Sequence, residues 1–191
     1  MARTPSKSKR DPSKPTWKKV KSRLDGVERA GLLALLQDLY RGSESNQRFL
    51  HTRFELGMEP LNPYKKEIAR WVFPDMDEEY SIAKAKATIS AYRAAVGAPA
   101  GLAELKVFFC EQASEFCADV GLDDLGFYDA LGRMFRDAIQ GVATLAAEDR
   151  GALWRRLEAV RDRCQDFGFG AGDEICGLWA DSEGLHPAGP K

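Results

Sequence analysis

The chain has 191 residues, of which 44% are hydrophobic and 30% charged, and such values are typical of a globular protein with a substantial buried core. Its formal net charge of −1 hides an uneven distribution, because residues 1–23 hold nine basic residues and one acid, whereas the rest holds 19 basic and 28 acidic residues. No apolar run reaches the roughly 18 residues that a membrane span needs, and none follows the basic N-terminus as in a secretory signal. We therefore expect a cytoplasmic protein without a membrane span.

The first predicted segment is a disordered basic arm over residues 1–15, which consists of Ser, Lys, Arg and Pro without a large apolar side chain after Met1. A short helix follows, with Thr16 as candidate cap and with Trp17, Val20 and Leu24 on one face. The next helix is predicted over about 27–41 from the i, i+3, i+4, i+7 spacing of Leu32, Leu35, Leu36 and Leu39.

Further helices follow between glycine and proline residues. Phe49, Leu50 and Phe54 indicate a helix that ends near Gly57, and Asn62 with Pro63 is a candidate N-cap and N1 pair for the next. Later helices are predicted from apolar positions with helical spacing, which are Ile82, Ala85, Ile89, Tyr92 and Val96; Leu102, Leu105, Phe109, Phe116 and Val120; Tyr128, Leu131, Phe135, Ala138, Val142 and Leu145; Leu153, Leu157, Val160, Cys164 and Phe167; and Ile175, Leu178 and Trp179.

The predicted fold class is all-α, because no run alternates apolar and polar residues as a strand does. Eight or nine helices with short connections predict one helical domain over about 16–181, either a bundle or a short helical-hairpin solenoid. Residues 182–191 are predicted to form a frayed tail.

Part of the chain, residues 27–93, resembles an uncharacterised family of bacterial all-helical proteins, a domain of unknown function. The residues that carry the resemblance are Leu35-Leu36-x-x-Leu39-Tyr40, Asn46-x-x-Phe49-Leu50-x-x-Arg53-Phe54, Tyr64-Lys65, Phe73-Pro74 and Ala83-Lys84-Ala85-x-x-x-Ile89-x-x-Tyr92. The resemblance implies a helical fold and a bacterial or mobile-element context, and it supplies no catalytic residue.

Residues that could support catalysis or hold a metal are few. Cys110 and Cys117 lie seven residues apart on one predicted helix, but structural zinc usually requires four ligands in two close pairs. We interpret the cysteines as buried reduced thiols. His51 lies in the middle of a predicted helix and His186 in the tail, so neither is placed to activate a nucleophile. The sequence therefore predicts no catalytic residue, no metal site and no cofactor, and a metal-dependent enzyme is the third hypothesis.

Trp154 lies between Leu153 and Arg155-Arg156, off the apolar stripe of its predicted helix. Two interpretations stay open for it. An exposed Trp154, together with Arg155 and Arg156, would anchor a partner protein. Otherwise the ring packs along the flank of the helix.

The basic N-terminal segment is the most unusual feature of the sequence. Its candidate polyanion-binding residues are Arg3, Lys7, Lys9, Arg10, Lys14, Trp17, Lys18, Lys19, Lys21 and Arg23. Such a segment suits nucleic acid, an acidic protein surface or a membrane face, or it is a solubilising tail. The leading hypothesis is a non-catalytic protein-interaction or adaptor module of a bacterial intracellular system. The alternative is a nucleic-acid-associated accessory protein that uses this segment on phosphates.

Overall fold

A computed structural model describes residues 15–54, 56 and 59–185, and within these ranges the chain is helical and contains no strand. The all-α prediction is confirmed for that part of the chain. The described helices are α1 (Trp17–Leu24), α2 (Arg29–Gly42), α3 (Glu44–Arg53), α4 (Asn62–Val72), α5 (Ile82–Ala95), α6 (Pro99–Val120), α7 (Leu125–Ala143), α8 (Ala147–Cys164) and α9 (Ala171–Asp181), followed by a 3₁₀ helix (Glu183–Leu185). None of these helices combines the length and the apolar character needed to cross a bilayer.

The chain divides between Gln47 and Arg48 into two compact units, whereas the sequence predicts one helical domain over 16–181. The N-terminal unit, as far as it is described, contains α1, α2 and the start of α3. The C-terminal unit contains the rest of α3 and all later helices. The predicted disorder of residues 1–15 lies outside the described residues except for its last residue.

The C-terminal unit is organised around α6, the longest helix, which packs against α4, α5, α7 and α8. The reason is in its sequence, since apolar or small residues occupy nearly its whole circumference and ten of its residues are buried. The α9 helix packs against α7 and α8. The apolar positions that predict α7 are confirmed as core, with Leu131, Phe135 and Val142 inaccessible to solvent.

Local signals set several helix ends. Asp124 caps α7, because one of its carboxylate oxygens accepts hydrogen bonds from the backbone N–H groups of Gly126 at 2.7 Å and Phe127 at 3.2 Å. Its other oxygen accepts a hydrogen bond from the Tyr80 hydroxyl at 2.5 Å. Gly121 ends α6 in the left-handed conformation, with φ of 59°, which glycine adopts without steric cost. Asp124 is therefore the N-cap of α7.

The predicted N-cap at Asn62 is wrong by one residue. Leu61 already has right-handed helical dihedral angles and occupies the cap position, so Asn62 is the first residue of α4 and Pro63 the second. The Asn62 side-chain amide donates to the Glu59 carboxylate, so it does not cap the helix. Proline is tolerated at this second position because the first N–H groups of a helix lack a partner within it.

The end of the described chain is more ordered than a frayed tail. Ser182 is buried, and its hydroxyl donates to the Trp179 carbonyl at 2.7 Å. Residues 183–185 then form the 3₁₀ helix, whereas the sequence predicts fraying from residue 182. The remainder of the predicted tail, residues 186–191, lies outside the described residues.

Candidate interaction groove

The first wall of the candidate site is α1, whose sequence Trp-Lys-Lys-Val-Lys-Ser-Arg-Leu separates apolar from basic positions. Trp17, Val20 and Leu24 are spaced by three and four residues, so they share one face. The helix contains no acid, and none of its residues is buried. Trp17 is 69% exposed, so its indole ring projects from the surface.

The second wall is α2, in which the predicted leucine stripe is present but faces outward. A stripe of this spacing normally packs against a protein core. Here no residue of α2 is buried, and the leucines of the stripe are between 37% and 58% exposed. Among the described residues of its own unit, the apolar face of this helix therefore stays largely exposed.

Together α1 and α2 form an apolar groove of about 750 Å³. We call it the leucine groove, and it is lined by Trp17, Val20, Leu24, Leu32, Leu35, Leu36, Asp38, Leu39, Gly42, Ser43 and Asn46. The Asn46 side-chain amide donates to the Leu39 carbonyl at 2.8 Å, which links the start of α3 to α2 within the lining. Among the described residues of the lining, Asp38 supplies the sole charge. The volume of the leucine groove is that of a pocket for a small molecule or for the side chains of a bound peptide.

Positive charge lies beside the leucine groove, whose described lining holds only the acid Asp38. Lys18, Lys19, Lys21 and Arg23 are all exposed. Lys21 follows Trp17 by one helical turn, which places it next to the apolar face. The groove therefore has a positive border on its α1 side.

The structure locates part of the predicted polyanion-binding set. Trp17 and the four cations of α1 lie on the surface of one short helix, as the sequence predicts. The remaining members, Arg3, Lys7, Lys9, Arg10 and Lys14, lie outside the described residues. The described part of the set thus forms a single basic helix whose other face lines the leucine groove.

Of the two interpretations of Trp154, the exposed anchor is contradicted by its burial. Its side chain is 3% exposed, and its ring packs edge-on against Trp179 with the ring centroids 5.6 Å apart. The helix-flank interpretation is the correct one, because α9 lies over this side of α8 and covers the indole. A buried ring of this kind does not present a surface to a partner.

The two arginines that follow Trp154 have different surroundings. Arg155 is exposed, whereas Arg156 lies in an ion-pair cluster between α6 and α8. Its guanidinium donates to both oxygens of Glu111 at 2.7 Å and to Glu104 at 2.6 Å. Lys65 of α4 approaches the other Glu104 oxygen at 2.6 Å. Arg156 therefore ties α8 to α6.

The electrostatics of this cluster follow from the pairing. Burial acts to raise the pKa of Glu104, but hydrogen bonds from Arg156 and Lys65 outweigh it, so the pKa lies below its ordinary value. The pKa of Arg156 is raised, chiefly by its hydrogen bonds to Glu111. Both groups stay charged near neutral pH. The cluster is a structural ion-pair network, and its pKa shifts do not place either group near the pKa that proton transfer at neutral pH requires.

Three of the four cysteines are core residues. Cys110, Cys117 and Cys164 are buried and Cys176 is half-buried, and all four are free thiols. Burial raises the pKa of Cys110 well above its ordinary value and that of Cys117 and Cys164 to about 12. Over the described ranges, no three residues of the types His, Cys, Asp and Glu come together as metal ligands. His51 is half-buried on α3, and His186 lies outside the described residues.

The sequence identified the leucine stripe but not its exposure. Helical periodicity identifies the apolar face of a helix, but it does not show whether another element covers that face. One further signal is present, because Leu33 widens the apolar arc of α2 beyond the stripe and is itself 50% exposed. An apolar surface this broad on a helix beside a basic segment favours binding over core packing.

Comparison of the chain with protein-family models, with curated proteins and with solved structures found no match.

Proposed function

We propose that the protein is a non-catalytic, helical protein-interaction module that serves as an adaptor in a bacterial intracellular system. The leucine groove is its docking site, and the occupant is an acidic amphipathic helix of a partner protein. The observation that carries the proposal is an open groove with six exposed large apolar side chains in two helices without a buried residue. The bacterial context rests on the resemblance of residues 27–93.

The shape of the leucine groove favours a helical occupant. At 1.5 Å per residue, the 14 residues of α2 extend over about 21 Å, enough for roughly four turns of a partner helix. Leu32, Leu35 and Leu39 repeat along this length at one-turn intervals and can accept side chains spaced by i, i+3, i+4 and i+7. Trp17 stands at the α1 side as a large exposed anchor of the type that dominates interface energies.

The charge beside the groove favours an acidic occupant. The α1 helix carries four cations and no acid, so acidic residues on the polar flank of a docked helix would face Lys21 and its neighbours. Such pairs at the rim accelerate association and select against basic partners more than they raise affinity. A partner helix with apolar residues on one face and glutamates beside them satisfies both features.

The test uses the full chain and a fluorescein-labelled 18-residue peptide with leucines at i, i+3, i+4 and i+7 and glutamates on its polar flank. We expect saturable binding by fluorescence anisotropy, which Leu35→Asp abolishes because it places a charge in the groove. The matched control is Leu33→Asp, since Leu33 is on the same helix and similarly exposed but does not line the groove. A peptide with lysines in place of the glutamates should bind more weakly at low salt.

Three outcomes contradict the proposal. If Leu33→Asp and Leu35→Asp lower the affinity for the peptide equally, the effect is not specific to the groove. Equal binding of the glutamate and lysine peptides removes the acidic selectivity. Concentration-dependent self-association in sedimentation, abolished by Leu35→Asp, assigns the groove to a second copy of the chain in place of a partner protein.

The alternative function is a nucleic-acid-associated accessory protein, and the exposure of all four α1 cations favours it. Its test is deletion of residues 1–14, which removes five cations against the acid Asp11. If these cations bind phosphates, the slope of log affinity against log salt should become less steep by about 0.9 for each phosphate that the shortened protein no longer neutralises. An unchanged slope excludes the segment as a phosphate-binding element.

A further inference from the structure

The acidic C-terminal part of the chain contains a cluster of cations. Residues 48–191 contain 17 Lys and Arg against 24 Asp and Glu, so this part of the chain is acidic. Nevertheless five of its cations line one groove, which we call the basic groove. They are Lys86 and Arg93 of α5, Lys106 of α6, and Arg133 and Arg136 of α7.

The basic groove has a volume of about 460 Å³, and three helices contribute to it. Lys86 and Arg93 lie two turns apart on α5, a rise of about 10 Å along the helix. Lys106 is held between the walls, since its ammonium donates to the backbone carbonyl of Asp137 at 3.0 Å. The cations therefore line a concave surface from more than one side.

Two of the arginines are held in position by carboxylates. Arg133 pairs with Asp129 at 3.2 Å, and Arg136 pairs with Glu174 at 3.3 Å. These exposed pairs contribute little to stability, but they restrict the two guanidinium groups. With Asp137 in the lining, five cations face three carboxylates, so an excess of positive charge remains for a ligand.

The uncharged lining limits what that ligand can be. It consists of Ile89, Ser90 and Met134, and it includes no aromatic ring among the described residues. Ile89 and Met134 are themselves about 5% exposed, so they offer little apolar surface to a peptide side chain. Stacked bases need an aromatic platform, and acidic peptides usually need an apolar anchor.

We propose that the basic groove binds the phosphate backbone of duplex nucleic acid without reading its sequence. Each strand of a duplex carries one phosphate charge per about 3.4 Å of its axis, so roughly three phosphates of one strand span the 10 Å between Lys86 and Arg93. Arginine and lysine contact phosphate oxygens directly, and arginine can do so through two hydrogen bonds. This site is separate from the leucine groove, and an adaptor with both sites would bring a partner protein to nucleic acid.

The test measures binding of the full chain to a fluorescein-labelled 20-base-pair DNA duplex by anisotropy between 50 and 200 mM salt. The variant is Lys86→Ala with Arg93→Ala. We expect weaker binding and a slope of log affinity against log salt that is less steep by about 1.8, or 0.9 for each cation removed. The matched control, Lys66→Ala with Arg155→Ala, removes two exposed cations outside the groove and should leave the slope unchanged.

The other outcomes overturn the proposal. Identical slopes for the groove variant and the control leave residues 1–23 as the phosphate-binding segment. Absence of duplex binding at 50 mM salt excludes a nucleic-acid site altogether. A further outcome is that the protein binds polyglutamate but not the duplex. If the groove variant then abolishes polyglutamate binding, the basic groove is a docking site for acidic protein. Circular dichroism melting of each variant establishes that the fold is retained.

Discussion

Replacing Phe135 by alanine tests the core of the C-terminal unit. The side chain is fully buried on α7, and its ring lies 6.4 Å from the Trp179 ring, centroid to centroid. The loss of transfer free energy for a buried phenylalanine is about 1.5–3 kcal/mol, and the cavity left behind brings the expected total cost to about 3–5 kcal/mol. Because Trp179 is half-buried, it has room to shift towards the cavity, which favours the lower half of that range.

Urea unfolding followed by tryptophan fluorescence measures this cost, and Trp179 is a reporter next to the substituted residue. Leu125→Ala is the control, since Leu125 is an exposed residue at the start of the same helix and its loss should change stability by less than about 0.5 kcal/mol. If Phe135→Ala also changes the free energy of unfolding by less than that, the assignment of the buried face of α7 is wrong.

The remaining predictions concern the thiols, the ion-pair cluster and two glycines. At pH 8 a thiol reagent should modify Cys176 first and the three buried cysteines only on denaturation, because their thiolates are suppressed; four fast thiols in native protein would contradict this. Glu104→Gln should lower the free energy of unfolding at pH 7. In urea unfolding at a series of pH values, its difference from wild type should shrink as pH falls from the ordinary pKa of 4.5 through the lowered folded value. Gly101→Ala should cost about 1–3 kcal/mol in urea unfolding, because its Cβ would overlap a tyrosine hydroxyl, while Gly151→Ala, with open space around it, should be neutral or stabilising.

The sign of the Glu104 prediction follows from linkage. Its pKa is lowered on folding, so the folded state favours the charged carboxylate, and the stabilisation is fully present above the ordinary pKa. As pH falls, the folded protein must protonate this group and the benefit is lost. Lys65 and Arg156 are both partly buried, and protonation of Glu104 removes the negative charge with which they pair. A constant difference between wild type and variant would show that Glu104 does not titrate as part of the cluster.

The two proposed sites differ in how well the helices that form them are packed. The leucine groove lies in a unit whose described helices α1 and α2 have no buried residue, so a partner that covers it would also stabilise that unit. The basic groove is built on α5, α6 and α7, which belong to the well-packed C-terminal unit. Binding at the first site is therefore expected to be coupled to ordering of α1 and α2, whereas the second site is already formed.

The sequence by itself determined the helical class and most helix positions. Apolar spacing is a local property, so the stripes of α7 and α8 could be predicted directly from the sequence. The burial of Cys110 and Cys117 was also predicted, because free cysteine is often buried as a small apolar residue.

Tertiary structure alone decided which of these faces are covered. Trp154 lies off the stripe of its own helix, and its burial depends on α9, which is packed against α8 from later in the chain. The leucines of α2 have the spacing of a core helix, yet no other described element of their unit covers them. The basic groove combines side chains from three helices up to 50 residues apart, from Lys86 to Arg136, and no local pattern records such an assembly. Periodicity specifies the direction of a side chain relative to its own helix, whereas burial and charge clustering are set by the neighbours that packing brings to it.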